Sequence, residues 1–230
     1  MTFRKIGILG GMGPKATILL QERLLNAVTA QDDSDHIPLL IDMNPQVPSR
    51  IKWLLENGTV NPAPVLVEMA RRLEIAGADV LAMPCNTAHA FAEDIERAVT
   101  VPFLHMPRLS AVEVARTVPS GGIIGILASP ATQKTKLFTN ELAPHGLQPL
   151  YPDDQGPLLK AIKQIKAEGP TPEAVAILCR SAKELEQRGA QSLLVGCSEF
   201  SLLSDQIPAA VPVIDTLNVL VRHLAEIATQ

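Results

Sequence analysis

A segment that occurs twice in the chain places a cysteine directly after each of two apolar strands. Cys85 comes eight residues after Gly77, and Cys197 comes eight residues after Gly189. The residues between are short apolar runs, which are typical of strands in a parallel sheet that is buried on both faces. Small polar residues follow each cysteine where a helix is predicted to begin, and unpaired helix amides favour a thiolate. The repeat predicts two similar halves, each with one cysteine at the carboxyl end of a strand.

Other segments repeat in the same order. Ile6-Gly7-Ile8-Leu9 resembles Ile124-Gly125-Ile126-Leu127 at an offset of 118 residues, and Val101-Pro102 resembles Val211-Pro212 at an offset of 110. The two cysteine segments are 112 residues apart, so the halves differ only by small changes in loop length. Alternating strand and helix patterns predict an α/β fold of two pseudo-symmetric subdomains, each a small parallel sheet flanked by helices. Because ligands bind beyond the carboxyl ends of such strands, the active site is expected in the cleft between the subdomains.

Composition excludes several classes of protein. The chain has 230 residues, 47% of them hydrophobic, which is enough for a full core and argues against disorder. A net charge of −4 without basic runs predicts no nucleic-acid partner. No apolar run approaches the ~20 residues of a membrane helix, and three cysteines without zinc-type spacing predict neither a disulfide framework nor a metal site. A cytoplasmic protein with a small-molecule partner is expected.

The loop Gly10-Gly11-Met12-Gly13-Pro14 follows the first predicted strand and opens a helix. A glycine-rich loop in this position raises the alternative of dinucleotide binding. Its spacing does not match G-x-G-x-x-G and no Walker-type lysine follows, so the sequence disfavours a nucleotide site.

Four motifs in this order resemble one known family, the cofactor-independent aspartate/glutamate racemases, and their aspartate racemase branch in particular. They are Ile6 to Pro14, Asn44-Pro45-Gln46-Val47-Pro48-Ser49-Arg50, Met83 to His89, and Gly196-Cys197-Ser198-Glu199. The resemblance covers essentially the whole chain. It implies inversion of an amino acid's α-carbon by two opposed thiols, no cofactor and no metal, and a homodimer.

The resemblance also implies roles for single residues. Cys85 and Cys197 are the expected catalytic residues, and Arg50 and Lys166 are expected to bind the distal carboxylate of an acidic substrate. Further substrate contacts are expected from Gly11, Met12, Gly13, Gln46, Asn86, Thr87, Ser129, Thr132, Ser198 and Glu199. The chain departs from the family where Pro130 and Ala131 replace part of a Thr-Gly-Thr loop and where Ser198 replaces a threonine.

Several of these residues can also be explained by a structural role alone. Lys166 suits a solvated helix end, Glu199 suits a charge at a helix N-terminus, and His89 suits a helix cap as well as a neighbour that tunes Cys85. Cys179 lies at helical spacing on an apolar face with Val175, Leu178, Ala182 and Leu185, which predicts a core position.

Alternatives for the whole protein also stay open. Hydantoin racemases and maleate isomerases carry two similarly placed cysteines, and a binding protein that kept the fold without turnover belongs to another class. Aspartate is the first expected substrate, with glutamate or a broader range as alternatives. The expected lobes are residues 1–100 with 212–230, and residues 101–211.

Overall fold

The computed structural model describes residues 3–229. The chain forms two compact units, of which the second is Pro107–Thr216; the first ends at Met106 and resumes at Leu217. The extreme residues of the expected first lobe, 1–2 and 230, lie outside the described part of the chain.

Strands and helices alternate along both units. The first unit contains β1 (Ile6–Gly10), α1 (Pro14–Asn26), β2 (Leu39–Met43), α2 (Arg50–Leu55), α3 (Ala63–Ile75), β3 (Val80–Ala82), α4 (Ala92–Glu96) and β4 (Phe103–Leu104). The chain continues with α5 (Met106–Ala115), β5 (Ile123–Leu127), α6 (Pro130–Lys134), α7 (Leu137–Leu142), β6 (Gln148–Leu150), α8 (Gly156–Glu168), α9 (Pro172–Gln187), β7 (Ser192–Val195) and β8 (Val213–Asp215), and α10 (Thr216–Ala228) returns to the first unit. Short 3-10 helices include Asn86–Phe91 and Phe200–Leu202.

The two sheets have the same topology. The strand order is β2-β1-β3-β4 in one and β6-β5-β7-β8 in the other, and every pair of neighbours is parallel. The starts of β3 and β7 differ by the 112 residues of the sequence repeat, and those of β4 and β8 by 110. Two four-stranded parallel sheets flanked by helices confirm the predicted fold class.

The helices α3 and α9 occupy equivalent positions in the two units and end in the same way. α3 packs against β1, and α9 packs against β5. Gly77 and Gly189 adopt positive φ angles of 90° and 92° after these helices. In each case the next amide reaches back to the helix, from Ala78 to Leu73 and from Ala190 to Leu185, both at 3.0 Å. This Schellman-type ending turns the chain directly into the strand that leads to a cysteine.

Strand pairing explains where the units divide. β4 is hydrogen-bonded to β3, and β8 is hydrogen-bonded to β7. Residues 103–104 therefore belong to the first sheet and residues 213–215 to the second, so both divisions fall later than the expected 100/101 and 211/212. Within residues 3–229, no helix combines the length and apolar character needed to cross a membrane.

Cys179 differs from its predicted core position. Its side chain is partly exposed, whereas Ala174, Leu178, Ala182 and Leu185 of α9 are buried. The buried stripe of the helix is centred on the other side of Leu178, which turns Cys179 toward the edge of the core.

Candidate active site

In each unit the carboxyl ends of the parallel strands meet at one edge of the sheet. At this edge of the first unit lie the glycine-rich loop after β1, the loop after β2 that leads to Arg50, and Cys85 after β3. At the corresponding edge of the second unit lie Ser129 after β5 and Cys197 after β7. Each unit thus gathers its own share of the predicted site residues.

The glycine-rich loop is held by α1 and by the loop after β2. The Gly11 amide donates to Oγ1 of Thr17 at 3.0 Å, and this hydroxyl donates to the Gly13 carbonyl at 3.1 Å. A Cβ on Gly11 would lie 2.4 Å from the carbonyl carbon of Asn44, so only glycine allows this close approach. In the loop after β2, the backbone N–H of the exposed Gln46 donates a hydrogen bond to Oδ1 of Asn44 at 3.0 Å. This contact forms a local turn in the loop.

Arg50 begins α2 and connects both loops through its guanidinium group. Nη1 donates to the carbonyls of Val47 and Pro48, both at 3.1 Å, and Nη2 donates to the carbonyl of Met12 at 3.2 Å. Nε is buried and has no hydrogen-bond partner among the described residues. Since a guanidinium carries five N–H groups, Nε and one further N–H are left for a ligand.

Cys85 is a buried, free cysteine with 8% of its surface exposed. It precedes the 3-10 helix Asn86–Phe91, and its carbonyl accepts a hydrogen bond from the Ala88 amide at 3.2 Å. Asn86 is 2% exposed, and Thr87 is partly exposed in the first turn. Asn86 and Thr87, two small polar residues, thus follow Cys85 directly at the start of this 3-10 helix.

His89 is a neutral brace beneath the Cys85 loop. Its Nε2 accepts from the Met106 amide at 3.2 Å, so Nδ1 carries the proton and donates to the Cys85 carbonyl at 2.9 Å. Burial, together with the neighbouring His105, lowers the pKa of His89 to about 3. Both ring nitrogens are thus occupied, which favours the structural role over a role in tuning the thiol.

Cys197 is buried beside an ion pair between Glu199 and Lys166. It is 6% exposed, and its Sγ donates to Oε2 of Glu199 at 3.1 Å. Oε1 of Glu199 lies 3.4 Å from Nζ of Lys166, which projects from the last turn of α8. Burial raises the pKa of the Cys197 thiol well above its usual value, and the Glu199 carboxylate raises it further, while Lys166 acts in the opposite direction.

Three hydroxyl residues complete the edge of the second unit. Ser129 caps α6 by accepting the Ala131 amide at 3.2 Å, and Thr132 donates to the Ser129 carbonyl at 2.8 Å. Ser198 is 3% exposed, and its hydroxyl has no partner among residues 3–229. The loop at Ser129 and Thr132 thus keeps a defined turn although Pro130 departs from the family pattern.

Sequence reasoning missed Tyr151, which follows the edge strand β6. It is 8% exposed, and burial raises the pKa of its phenol to about 12, with the Thr132 side chain acting against this rise. No motif indicated this residue because β6 itself was not predicted.

Cys179 lies on α9 and not in a loop that follows a strand. Its Sγ is 3.5 Å from the Gln206 carbonyl, and it lines a surface hollow with Arg180 and Lys183. Among the residues that the structure describes, no group of three or more His, Cys, Asp or Glu side chains is arranged to hold a metal ion.

Known proteins resemble this chain in sequence and in fold. The family model for Asp/Glu/Hydantoin racemase matches residues 9–224. The chain is 26% identical to the broad specificity amino-acid racemase RacX of Bacillus subtilis over 92% of both chains. It is 30% identical to glutamate racemase of Pseudomonas aeruginosa over 66% of this chain and 58% of the relative. The structure of Picrophilus torridus aspartate racemase superposes with a TM-score of 0.87 at 27% identity, covering 98% of this chain and 94% of that one.

Proposed function

Because the chain belongs to the Asp/Glu/Hydantoin racemase family, we propose that it inverts the α-carbon of an amino acid with two thiols, without pyridoxal phosphate or metal. One observation carries the proposal. Two sheets of identical strand order each end their third strand in chain order at a buried, free cysteine, Cys85 in one and Cys197 in the other. Such a duplicated site can supply the acid and the base that a reaction on opposite faces of one carbon atom needs.

In the proposed reaction the Cys85 thiolate removes the α-proton, so a C–H bond breaks and an S–H bond forms. The Cys197 thiol then delivers its proton to the opposite face, which forms the new C–H bond and leaves a thiolate. The number of protons on the protein is unchanged. The reverse direction uses the same two groups with their protonation states exchanged.

The α-proton of an amino acid is very weakly acidic, so the carbanion needs stabilisation at the α-carboxylate. Preorganised amides and hydroxyls provide this most effectively in a site that excludes water. We assign the role to the loops at Gly11–Gly13, Asn86–Thr87 and Ser129–Thr132. The fixed hydrogen bonds of the first and third loops support the assignment because they hold the loops in one conformation.

The preferred substrate in this proposal is an acidic amino acid, with aspartate first. Support comes from the likeness to an aspartate racemase and from Arg50, whose buried Nε has no partner among the described residues. A carboxylate is the natural ligand for two adjacent N–H groups of a guanidinium.

A broader substrate range is the second candidate. Three N–H groups of Arg50 already donate to carbonyls, and Lys166 is paired with Glu199, so both expected ligands of a distal carboxylate have partners within the protein. The likeness to a broad specificity amino-acid racemase points in the same direction.

The test is incubation of single L- and D-amino acids with the purified protein, followed by chiral chromatography. The panel includes aspartate, glutamate, alanine, lysine, a 5-substituted hydantoin and maleate, and the Cys85→Ala variant is the matched control. Conversion of L-aspartate with the highest kcat/KM supports the first candidate. Similar values for neutral and basic amino acids support the second. Turnover of the hydantoin or maleate alone, or of nothing, would refute amino-acid racemisation.

A further inference from the structure

Three ionisable groups form a chain in the second unit. The Cys197 thiol is 3.1 Å from one oxygen of Glu199, and the Lys166 ammonium group is 3.4 Å from the other. Lys166 comes from α8, whereas the other two residues come from the loop after β7. The Glu199 carboxylate therefore contacts Cys197 with one oxygen and Lys166 with the other. Lys166 is distant in sequence and lies near Glu199 because α8 packs close to the loop after β7.

The hydrogen bond between Cys197 and Glu199 has a direction. An ionised carboxylate only accepts hydrogen bonds, so Sγ carries the proton. Loss of that proton would place a thiolate beside a carboxylate that is itself only 7% exposed, and like charges in a buried site disfavour ionisation. Lys166, whose side chain is 39% exposed, supplies a cation that pairs with the other oxygen of this carboxylate.

We propose, on the basis of the proposed function, that Glu199 and Lys166 are positioning residues: Glu199 keeps Cys197 as the proton donor of the resting protein, and Lys166 holds Glu199 in place rather than binding the substrate. The first turnover then begins with proton removal by Cys85. Cys197 gives up its proton to the α-carbon, and its S–H bond is restored by the reverse reaction or by a proton from water.

Other charged groups near this loop have their own partners. Asp215 at the end of the neighbouring strand β8 accepts a hydrogen bond from Oγ of Ser201 at 2.6 Å. From α8, the group that faces Glu199 is Lys166. The same helix offers a matched control, because Lys160 pairs with Glu173 at 2.8 Å on the exposed surface.

One experiment tests Lys166 by comparing substrates. Lys166→Met is expected to lower kcat/KM for aspartate and alanine by the same factor, to within about threefold, because the lysine acts on Cys197 in both reactions. The double variant Lys166→Met/Glu199→Gln should have the same kcat/KM as the less active of the two single variants, because the effects of coupled residues do not add. Lys160→Met should leave both rates unchanged. A loss confined to aspartate would place Lys166 on the substrate and overturn the inference.

The closing experiment needs no turnover and so separates this inference from the proposed function. The three cysteines are alkylated with iodoacetamide from pH 6 to 10, and each is quantified by peptide mass spectrometry. Glu199→Gln should move the alkylation midpoint of Cys197 down by about one pH unit or more, a rate gain of about tenfold at fixed pH below the midpoint. Cys179 is the internal reference, and Glu173→Gln is the matched control.

Melting temperatures establish that the variants are folded. Should Glu199→Gln not fold, the thiolate absorbance of Cys197 in a Cys85→Ala/Cys179→Ala protein gives the same information, and Cys197 is expected to ionise at a higher pH than an ordinary cysteine. An unchanged midpoint in Glu199→Gln, an equal shift at Cys179, or ionisation of Cys197 near neutral pH would each overturn the inference. If no amino acid is racemised by the native protein, the proposed function fails while this result still stands.

Discussion

Cys85 and Cys197 are predicted to serve one face of the α-carbon each, so neither replaces the other. Cys85→Ala and Cys197→Ala should each abolish racemisation. Cys179→Ala should leave kcat/KM within about twofold of the native value, because its partly exposed side chain lies on α9 rather than in a loop that follows a strand. Chiral chromatography of product from L-aspartate measures all three. Normal racemisation by either of the first two variants would exclude a two-thiol reaction.

Arg50 is predicted to distinguish acidic from neutral substrates. Removing its guanidinium would leave a substrate carboxylate without its partner in a partly dry site, at a cost of roughly 2–5 kcal/mol. Arg50→Ala should therefore lower kcat/KM for aspartate by about two orders of magnitude and for alanine far less. Arg50→Lys is the matched variant, since it keeps the charge but loses the paired N–H groups.

The comparison between the two substrates also controls for structural damage. Arg50 holds the carbonyls of Met12, Val47 and Pro48, so its loss loosens two loops regardless of the substrate. Equal losses for aspartate and alanine would mean that Arg50 serves the loops or the α-carboxylate, and the acidic substrate would have to be withdrawn.

Sequence reasoning identified single residues well where local pattern determines their position. The strand before Cys85 and the glycine at its start are local features, and their repeat at Cys197 made both positions predictable. The contact of Lys166 with Glu199 was not predictable, because it joins α8 to a loop 33 residues later and depends on packing. The hydrogen bonds of Arg50 to three backbone carbonyls were not predictable either, because every residue has a backbone carbonyl and the sequence does not show which of them lie near the guanidinium.

At the scale of elements, His89 connects the Cys85 loop to the start of α5 and should make stability depend on pH. Its pKa is lowered to about 3 in the folded protein, below the ordinary value of 6.5, so the unfolded chain binds an additional proton between these values. This contribution is complete above pH 6.5 and is lost as the pH falls toward 3. The expected slope is about 1.4 kcal/mol per pH unit from this residue.

Urea unfolding between pH 7.5 and 4.5 measures that slope. His89→Gln keeps an amide donor for the Cys85 carbonyl but cannot titrate, so its stability should fall less steeply with decreasing pH than that of the native protein. Parallel slopes for the two proteins would show that His89 does not remain neutral in the fold.

The elements that sequence reasoning missed share a physical cause. β6 has three residues and includes Pro149, which cannot donate to a ladder, and such a strand is tolerated because β6 lies at the sheet edge. The helix α6 has five residues and begins with Pro130 after Ser129, too short for a periodic apolar pattern. The helix that is predicted to begin after Cys85 consists instead of a 3-10 segment, Asn86–Phe91, followed by the short α4.

At the scale of the whole molecule, the proposed reaction needs no group beyond the chain itself. Activity should survive dialysis against a chelator and treatment with hydroxylamine, which removes pyridoxal phosphate, but not alkylation of thiols. Racemisation rates before and after each treatment measure this. Loss of activity on chelation, with recovery on adding back a metal ion, would contradict the proposal.

The most direct test of the central claim is racemisation of L-aspartate in deuterated water, followed by α-deuterium content and chirality in one measurement. If two thiols act on opposite faces, the D-aspartate formed early carries deuterium at the α-carbon, because its new proton comes from a solvent-exchanged thiol. The remaining L-aspartate stays unlabelled at first, since the proton removed from one face is not returned to it. Equal deuterium in both enantiomers from the start would indicate a single base that serves both faces, and labelling without any D-aspartate would show proton exchange without inversion; either result would contradict the proposed reaction.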